Sequence, residues 1–182
     1  MAAVLITGMS GAGKTSVAAA LAGRGSSALD ADSDRLLSRW LDPADRTADR
    51  PAAPDADWLA RHRWEWDLAR LDQLIADAAE KTLFVCGSVN NVTEAWPRFD
   101  RVYLLAIDSS TMLARLDDPS RDHDFGRVGA ERTLLLSWLA GFDSRMRALG
   151  AVPIDASRPL DQVVDAILAD CRPEFDGSRY WP

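Results

Sequence analysis

Lysine is nearly missing from this sequence. Of its 21 lysines and arginines, two are lysines, Lys14 and Lys81. The cationic surface is therefore almost all guanidinium, and one of the two lysines stands in a glycine-rich stretch. Cysteine is equally scarce. Cys86 and Cys171 have no metal-ligand spacing, so a disulfide framework is not indicated and a reducing, cytoplasmic setting is expected. The two histidines, His62 and His123, are isolated and suggest no metal site. No apolar run is long enough to span a bilayer. The N-terminal apolar run is short and leads straight into the glycine-rich stretch, so no signal peptide is expected. A net charge of −7 argues against general nucleic-acid binding. No internal repeat or long low-complexity tract occurs.

What is present suits one α/β domain. The chain has 182 residues, 47% hydrophobic and 27% charged, enough for a substantial core. The domain is expected over residues 1–171, with 172–182 as a tail. Its organising stretch is Gly8-Met9-Ser10-Gly11-Ala12-Gly13-Lys14-Thr15, which fits the phosphate-binding pattern G-x-x-x-x-G-K-[ST]. An apolar strand, Ala2 to Thr7, precedes it, and a helix-like run from Ser16 to about Ala22 follows. That context is the one the pattern requires. The glycines let the backbone turn its N–H groups onto phosphate oxygens, and the new helix adds its positive dipole end. Lys14 is expected to reach the β/γ-phosphates, and Thr15 to offer its hydroxyl to Mg²⁺. A nucleotide and a metal ion, Mg²⁺, are thus expected at this stretch. The candidate nucleotide contacts are Gly8, Ser10, Gly11, Ala12, Gly13, Lys14, Thr15 and Ser16.

Further strands are expected at Ser27–Asp30, Thr82–Cys86, Arg101–Ile107 and Ala151–Asp155. Pro153 suggests an edge position for the last. Helices are expected over Asp34–Trp40, Trp58–Ala79, the stretch from Ser109 to about Asp117, Ala130–Leu149 and Leu160–Cys171. Residues 42–57, with Pro43, Pro51 and Pro54, read as a loop or excursion. Strands alternating with helices predict a three-layer α/β sandwich around a five-stranded parallel sheet.

The acids at the second strand's edge carry the next signal, because open parallel sheets bind ligands at that edge. Asp30 and Asp32 are two apart and on an extended strand would point the same way. One could hold Mg²⁺ through water while the other orients an acceptor hydroxyl. Asp34 is a spare, and helix capping is the competing role for Asp32 and Asp34. At the third strand's end, Gly87 would let a substrate approach the backbone, with Ser88, Asn90 and Asn91 as hydrogen-bonding groups. Past the fourth strand, Arg115, Arg121 and Arg127 bracket a polar segment at about 118–129. It reads as a short lid, with Arg121 best placed to neutralise a transferring phosphoryl group. Surface pairing with nearby aspartates competes for Arg127. Trp58, Trp64 and Trp66 lie on or near the helix expected after the acids; Trp64 could wall an acceptor pocket.

These residues together resemble the small P-loop kinases of the nucleoside-monophosphate-kinase-like superfamily. The nearest flavours are shikimate and gluconate kinases and actinobacterial AAA-type ATP-binding proteins. The resemblance spans about residues 3–170. Leu29-Asp30-Ala31-Asp32 is similar to the Asp-x-Asp motif of shikimate kinases. There one acid serves the metal and the other the acceptor, which implies Asp30 for the metal and Asp32 as the base. Leu113-Ala114-Arg115-Leu116 followed by Arg121 resembles the helix-to-lid arginine pair. Ile154 to Leu160 resembles the adenine-binding turn, which implies Arg158 and Pro159 as nucleotide contacts. The implied P-loop NTPase fold has sheet order 2-3-1-4-5, with helices on both faces. The implied activity is ATP-dependent phosphorylation of a hydroxyl on a small metabolite, with Lys14, Asp32 and Arg121 catalytic and Asp32, Asp34, Gly87 and Ser88 at the acceptor. The third strand ends Gly87-Ser88-Val89 rather than in three glycines, which leaves the acceptor open. An ATP-binding switch or accessory module with little catalysis, and a nucleoside or nucleotide kinase, are the alternatives. No Asn-Lys-x-Asp guanine motif is present.

Overall fold

The computed structural model describes residues 2–78, 81–121 and 124–171. Strand β1 (Ala3–Thr7) is buried along its whole length, as a strand apolar on both faces must be. It pairs in parallel with β6 (Leu83–Cys86) on one side and β7 (Arg101–Ala106) on the other. Strands β2 (Ser27–Asp30) and β8 (Val152–Asp155) complete a five-stranded sheet ordered β2-β6-β1-β7-β8. Pro153 thus sits on an edge strand, where its missing N–H costs no ladder bond.

Parallel neighbours need crossovers, and helices supply them on both faces. Side chains alternate along β1. Val4 and Ile6 join the core under α1 (Lys14–Gly23), α5 (Ser109–Leu116) and α7 (Leu160–Asp170). Ala3 and Leu5 join the core under α3 (Leu68–Asp77), α4 (Val92–Ala95) and α6 (Gly129–Ala148). Helix α5 is capped by Asp108, whose carboxylate accepts the Thr111 amide at 2.6 Å.

Counting the five parallel strands alone, this is the expected order 2-3-1-4-5; the labels differ because a second sheet enters the chain between β2 and β6. It is antiparallel and three-stranded, ordered β4-β3-β5. Its strands are β3 (Ser38–Leu41), β4 (Thr47–Ala48) and β5 (Arg63–Trp66), with the short helix α2 (Ala56–Arg61) before β5. Two expected helices are corrected here. The stretch 34–40 turns and then enters β3, because Ser38 to Leu41 finds partners in Arg63 to Trp66. The stretch 58–79 is two helices with a strand between them. His62 is extended, ending α2, and the Asp67 carboxylate accepts the Arg70 amide at 3.0 Å to start α3. The excursion at 42–57 holds β4 and the start of α2. The tail at 172–182 and His123 lie outside the described residues.

Candidate active site

The turn from β1 into α1 builds the phosphate-binding end. Gly8 leaves β1 with no room for a side chain. A Cβ there would stand 2.9 Å from the Ala12 Cβ and 3.0 Å from the Leu105 carbonyl oxygen. Gly13 takes a φ of 96°, a left-handed value that a Cβ resists. Helix α1 then starts at Lys14 with no side-chain cap. Its first N–H groups have no intrahelical acceptor, and with the helix's positive end they form an anion-binding terminus. Within the loop, the Ala12 amide is already committed to the Met9 carbonyl at 3.0 Å. Thr15 and Ser16 are exposed in the first turn.

Lys14 is held in place. Its Nζ donates to the Gly8 carbonyl at 3.0 Å and to that of Met9 at 3.4 Å, and it lies 3.4 Å from Asp32 Oδ2. The other Asp32 oxygen accepts the Ser88 amide at 3.2 Å. One carboxylate therefore ties the phosphate-side lysine to the end of β6. Asp30 sits in a different setting. Strand β2 stops at Asp30 and Asp32 lies in the turn beyond it, so the two acids are not equivalent positions of one extended strand. One Asp30 oxygen accepts the Ser33 hydroxyl at 3.0 Å, and the other is buried with no hydrogen-bond partner. An unpartnered buried carboxylate oxygen is costly. The oxygen-only donors of Asp30 and Thr15 suit a hard cation such as Mg²⁺ with its waters, so these residues fit the implied metal. Between the strands, Cys86 is inert. Burial first, then the Asp30 carboxylate, pushes its thiol far up, with Asp32 adding and Lys14 opposing.

Other expected acceptor groups are committed elsewhere. The Asp34 carboxylate accepts the Leu36 and Leu37 amides at 2.8 and 3.2 Å, so it caps a turn. Gly87 is buried, and a Cβ on it would meet Trp66 Cζ2 at 2.7 Å and Ala31 Cβ at 3.0 Å. No side chain fits there, because Trp66 fills the space. The Asn90 side chain accepts the Trp64 amide at 2.8 Å. Asn91 accepts the Trp66 amide and donates back to the Trp66 carbonyl. Both asparagines thus pin β5 along the end of β6, and Ser88 is left as the polar side chain of that edge. Trp66 is core. Trp64 stands across from Trp40 with ring centroids 5.4 Å apart, and Trp58 meets Trp40 edge-on at 5.0 Å. His62 stacks on Trp58 at 4.0 Å. The second sheet and α2 thus gather Trp40, Trp58 and Trp64 into one aromatic cluster.

The arginines divide in role. Arg115 donates to the carbonyls of Gly11 and Ala12 at 3.3 and 3.4 Å and to that of Ala156 at 2.7 Å. It clamps the phosphate loop to the turn after β8. Arg158 in that turn bonds Gln162, and Pro159 precedes α7. Arg121 donates to Ser10 Oγ at 2.8 Å and to the Phe125 carbonyl at 3.0 Å. It has no carboxylate partner among the described residues. Burial, and after it the neighbouring Arg127, lower its pKa. Arg127 donates to the backbone carbonyls of Asp118 and Arg121 and forms no ion pair among the described residues.

Two residues at the site carry no local sequence signal. Arg50 Nε bonds Glu131 Oε1 at 2.7 Å, and its Nη1 reaches Asp124 at 3.2 Å. Glu131 is 4% exposed. The contact joins positions far apart in the chain, so neither residue stands out alone.

No protein-family model matches the sequence, and no curated protein matches it. Solved structures do share its fold. A deoxyadenosine kinase from M. mycoides with bound dATP superposes with a TM-score of 0.54 at 13% identity, covering 93% of this chain and 98% of that one. A gluconokinase from Sinorhizobium meliloti 1021 gives 0.53 at 19% identity over 92% and 90%. A sugar kinase from Janibacter sp. HTCC2649 gives 0.52 at 19% identity over 93% and 93%. From the phosphate loop to the last helix, the chain has the fold of the P-loop kinases.

Proposed function

We propose that the protein transfers the terminal phosphoryl group of ATP to a hydroxyl of a small metabolite, with Mg²⁺ bound alongside the nucleotide. One observation carries this reading. Two cations from different elements, Lys14 and Arg121, converge on the phosphate loop, and Asp32 joins Lys14 to the acceptor edge. A module that only held nucleotide would need no carboxylate bridging those two regions.

The loop amides and the end of α1 bind the phosphates, with Ser10 to Ser16 lining them. The Arg115 clamp fixes the loop against the turn carrying Arg158 and Pro159, where the base would lie. Thr15 and Asp30 would hold Mg²⁺, which when bound neutralises phosphate charge. Asp32 orients the acceptor hydroxyl, with Ser88 beside it, and takes its proton. As the acceptor oxygen bonds to the γ-phosphorus, the bond from that phosphorus to the β-phosphate oxygen breaks and ADP leaves. Lys14 and Arg121 balance the charge that spreads over the transferring group.

A nucleoside acceptor is the second reading. The shared fold with a deoxyadenosine kinase and the tryptophan cluster favour it, since an indole face suits a flat base. The test is steady-state ADP release with ATP and Mg²⁺, with and without pools of polyols, sugar acids, shikimate-like acids, nucleosides and nucleotides, with Lys14→Ala as the blank. A pool that stimulates the wild type and not the variant supports the kinase, and dividing that pool names the acceptor. Tight ATP binding with release that no pool changes would instead favour an ATP-dependent switch.

A further inference from the structure

Arg121 reaches the phosphate loop from a position outside any helix or strand, and such a position needs an external brace to hold a side chain in one place. The brace can be followed bond by bond. Glu131, in the first turn of α6, uses both carboxylate oxygens. Oε2 accepts the Gly126 amide at 2.9 Å and Oε1 accepts Arg50 Nε at 2.7 Å. Gly126 has a φ of 83°, and a Cβ on it would fall 2.2 Å from Leu135 Cδ1, so this turn has little freedom. The adjoining Phe125 ring is flanked by the Arg50 guanidinium, 5.5 Å from its centroid, and by the Trp40 ring at 6.3 Å. The Phe125 carbonyl in turn accepts Arg121 Nη1, and Arg121 Nη2 donates to Ser10.

We propose that Arg50 is a positioning residue for Arg121, acting through Glu131, Gly126 and Phe125 to hold that guanidinium over the phosphate loop. The inference rests on the kinase reading, in which Arg121 faces the terminal phosphate. Arg50 follows β4 of the second sheet, whose other strands carry Trp40, Trp64 and Trp66. The relay therefore couples the second sheet to the arginine that serves the phosphoryl group. Glu131 is buried, so removing Arg50 leaves its carboxylate without its cation, and the turn that it anchors must shift. A displacement of about 1 Å in a charge-stabilising group can cost up to roughly 100-fold in rate.

A double-mutant cycle separates positioning from general loss of stability. Arg50→Met, Arg50→Lys, Arg121→Ala and the pair Arg50→Met with Arg121→Ala are compared for kcat, KM and ATP affinity, with folding checked by thermal unfolding. Arg61→Met serves as the control, because its exposed side chain pairs locally with Asp57. Arg50→Met is expected to lower kcat about tenfold or more, with Arg50→Lys recovering part of the loss. In the Arg121→Ala background, Arg50→Met should have almost no further effect. Fully additive losses in turnover and in ATP affinity would overturn the relay, as would an Arg50→Met protein with wild-type kcat. A wild type that binds ATP and phosphorylates nothing, yet shows a non-additive cycle in ATP affinity, would sink the kinase reading and leave the relay standing. A wild type that binds no nucleotide overturns both.

Discussion

Replacing Gly87 by alanine puts the packing of the site to a direct test. The added methyl would lie 2.7 Å from Trp66 Cζ2, 3.0 Å from Ala31 Cβ and 3.2 Å from Asp32 Oδ1. None of these atoms can easily withdraw. Trp66 is 3% exposed and Ala31 is fully buried, and the Trp66 backbone is fastened to Asn91 on both sides. Overpacking of this kind costs roughly 1–3 kcal/mol. In a chain of this size, about 2 kcal/mol corresponds to a fall in Tm of about 4–8 °C. The comparison variant is Gly141→Ala, in the interior of α6, where a Cβ would meet nothing within 4 Å. It should gain about 0.5–1 kcal/mol from helix propensity and melt slightly higher. Thermal unfolding of both variants, with ATP titrations, forms the assay. ATP affinity should survive Gly87→Ala, because the phosphate loop is untouched, while turnover falls as Asp32 is displaced. A Gly87→Ala protein that melts with the wild type and loses only acceptor saturation would refute the argument. Gly87 would then serve substrate approach after all.

Three further outcomes are expected. Lys14→Ala should abolish transfer, a loss of at least about 100-fold as for other charge-stabilising donors, read as ADP release. Asp32→Asn should lower turnover by about 100-fold or more while changing ATP affinity much less; equal transfer by that variant would remove Asp32 from the mechanism. Asp42→Asn should flatten the acid limb of stability. The Arg46 amide, followed by its guanidinium, holds the Asp42 carboxyl down at about 2 against an ordinary value of 3.8. The folded value is the lower one, so this stabilisation is full above about pH 4 and is lost as pH falls towards 2. Melting from pH 2 to 5 should show a shallower slope in the variant than in the wild type.

The sequence was most readable where one segment carries its own pattern. Each strand of the parallel sheet is an apolar run closed by polar or small residues, and the phosphate loop declares itself by glycine spacing and flanks. The second sheet was unreadable for a physical reason. Trp58 to Ala79 offers apolar residues at helical spacing, and a four-residue strand such as Arg63 to Trp66 shows only two alternations. Its extended state is fixed by Trp40 and Ser38 across the ladder, which no local window contains. The Asp67 cap was the one local sign of a break. Asp34 was read as a candidate helix cap, but the helix is absent and its carboxylate closes a turn instead. Asn90 and Asn91 have the composition of a ligand loop, but the nearest unpaired groups they meet are the backbone of β5. The pairing of Arg50 with Glu131 depends on how α6 approaches the second sheet, and so belongs to tertiary structure alone.

The base of the excursion has a consequence of its own. The Asp67 amide donates to the Leu37 carbonyl at 2.8 Å, and Ser38 stands opposite Trp66 in the ladder. The chain thus leaves and re-enters the parallel sheet's neighbourhood at adjacent points. Sequence added or removed between residues 38 and 66 leaves that junction's span unchanged, and lengthening a closed loop adds little entropic cost. The segment is placed like a cartridge in a socket. Its contents can be exchanged while the phosphate loop stays in register, provided the replacement restores the ion pairs that Arg50 makes with Glu131 and Asp124.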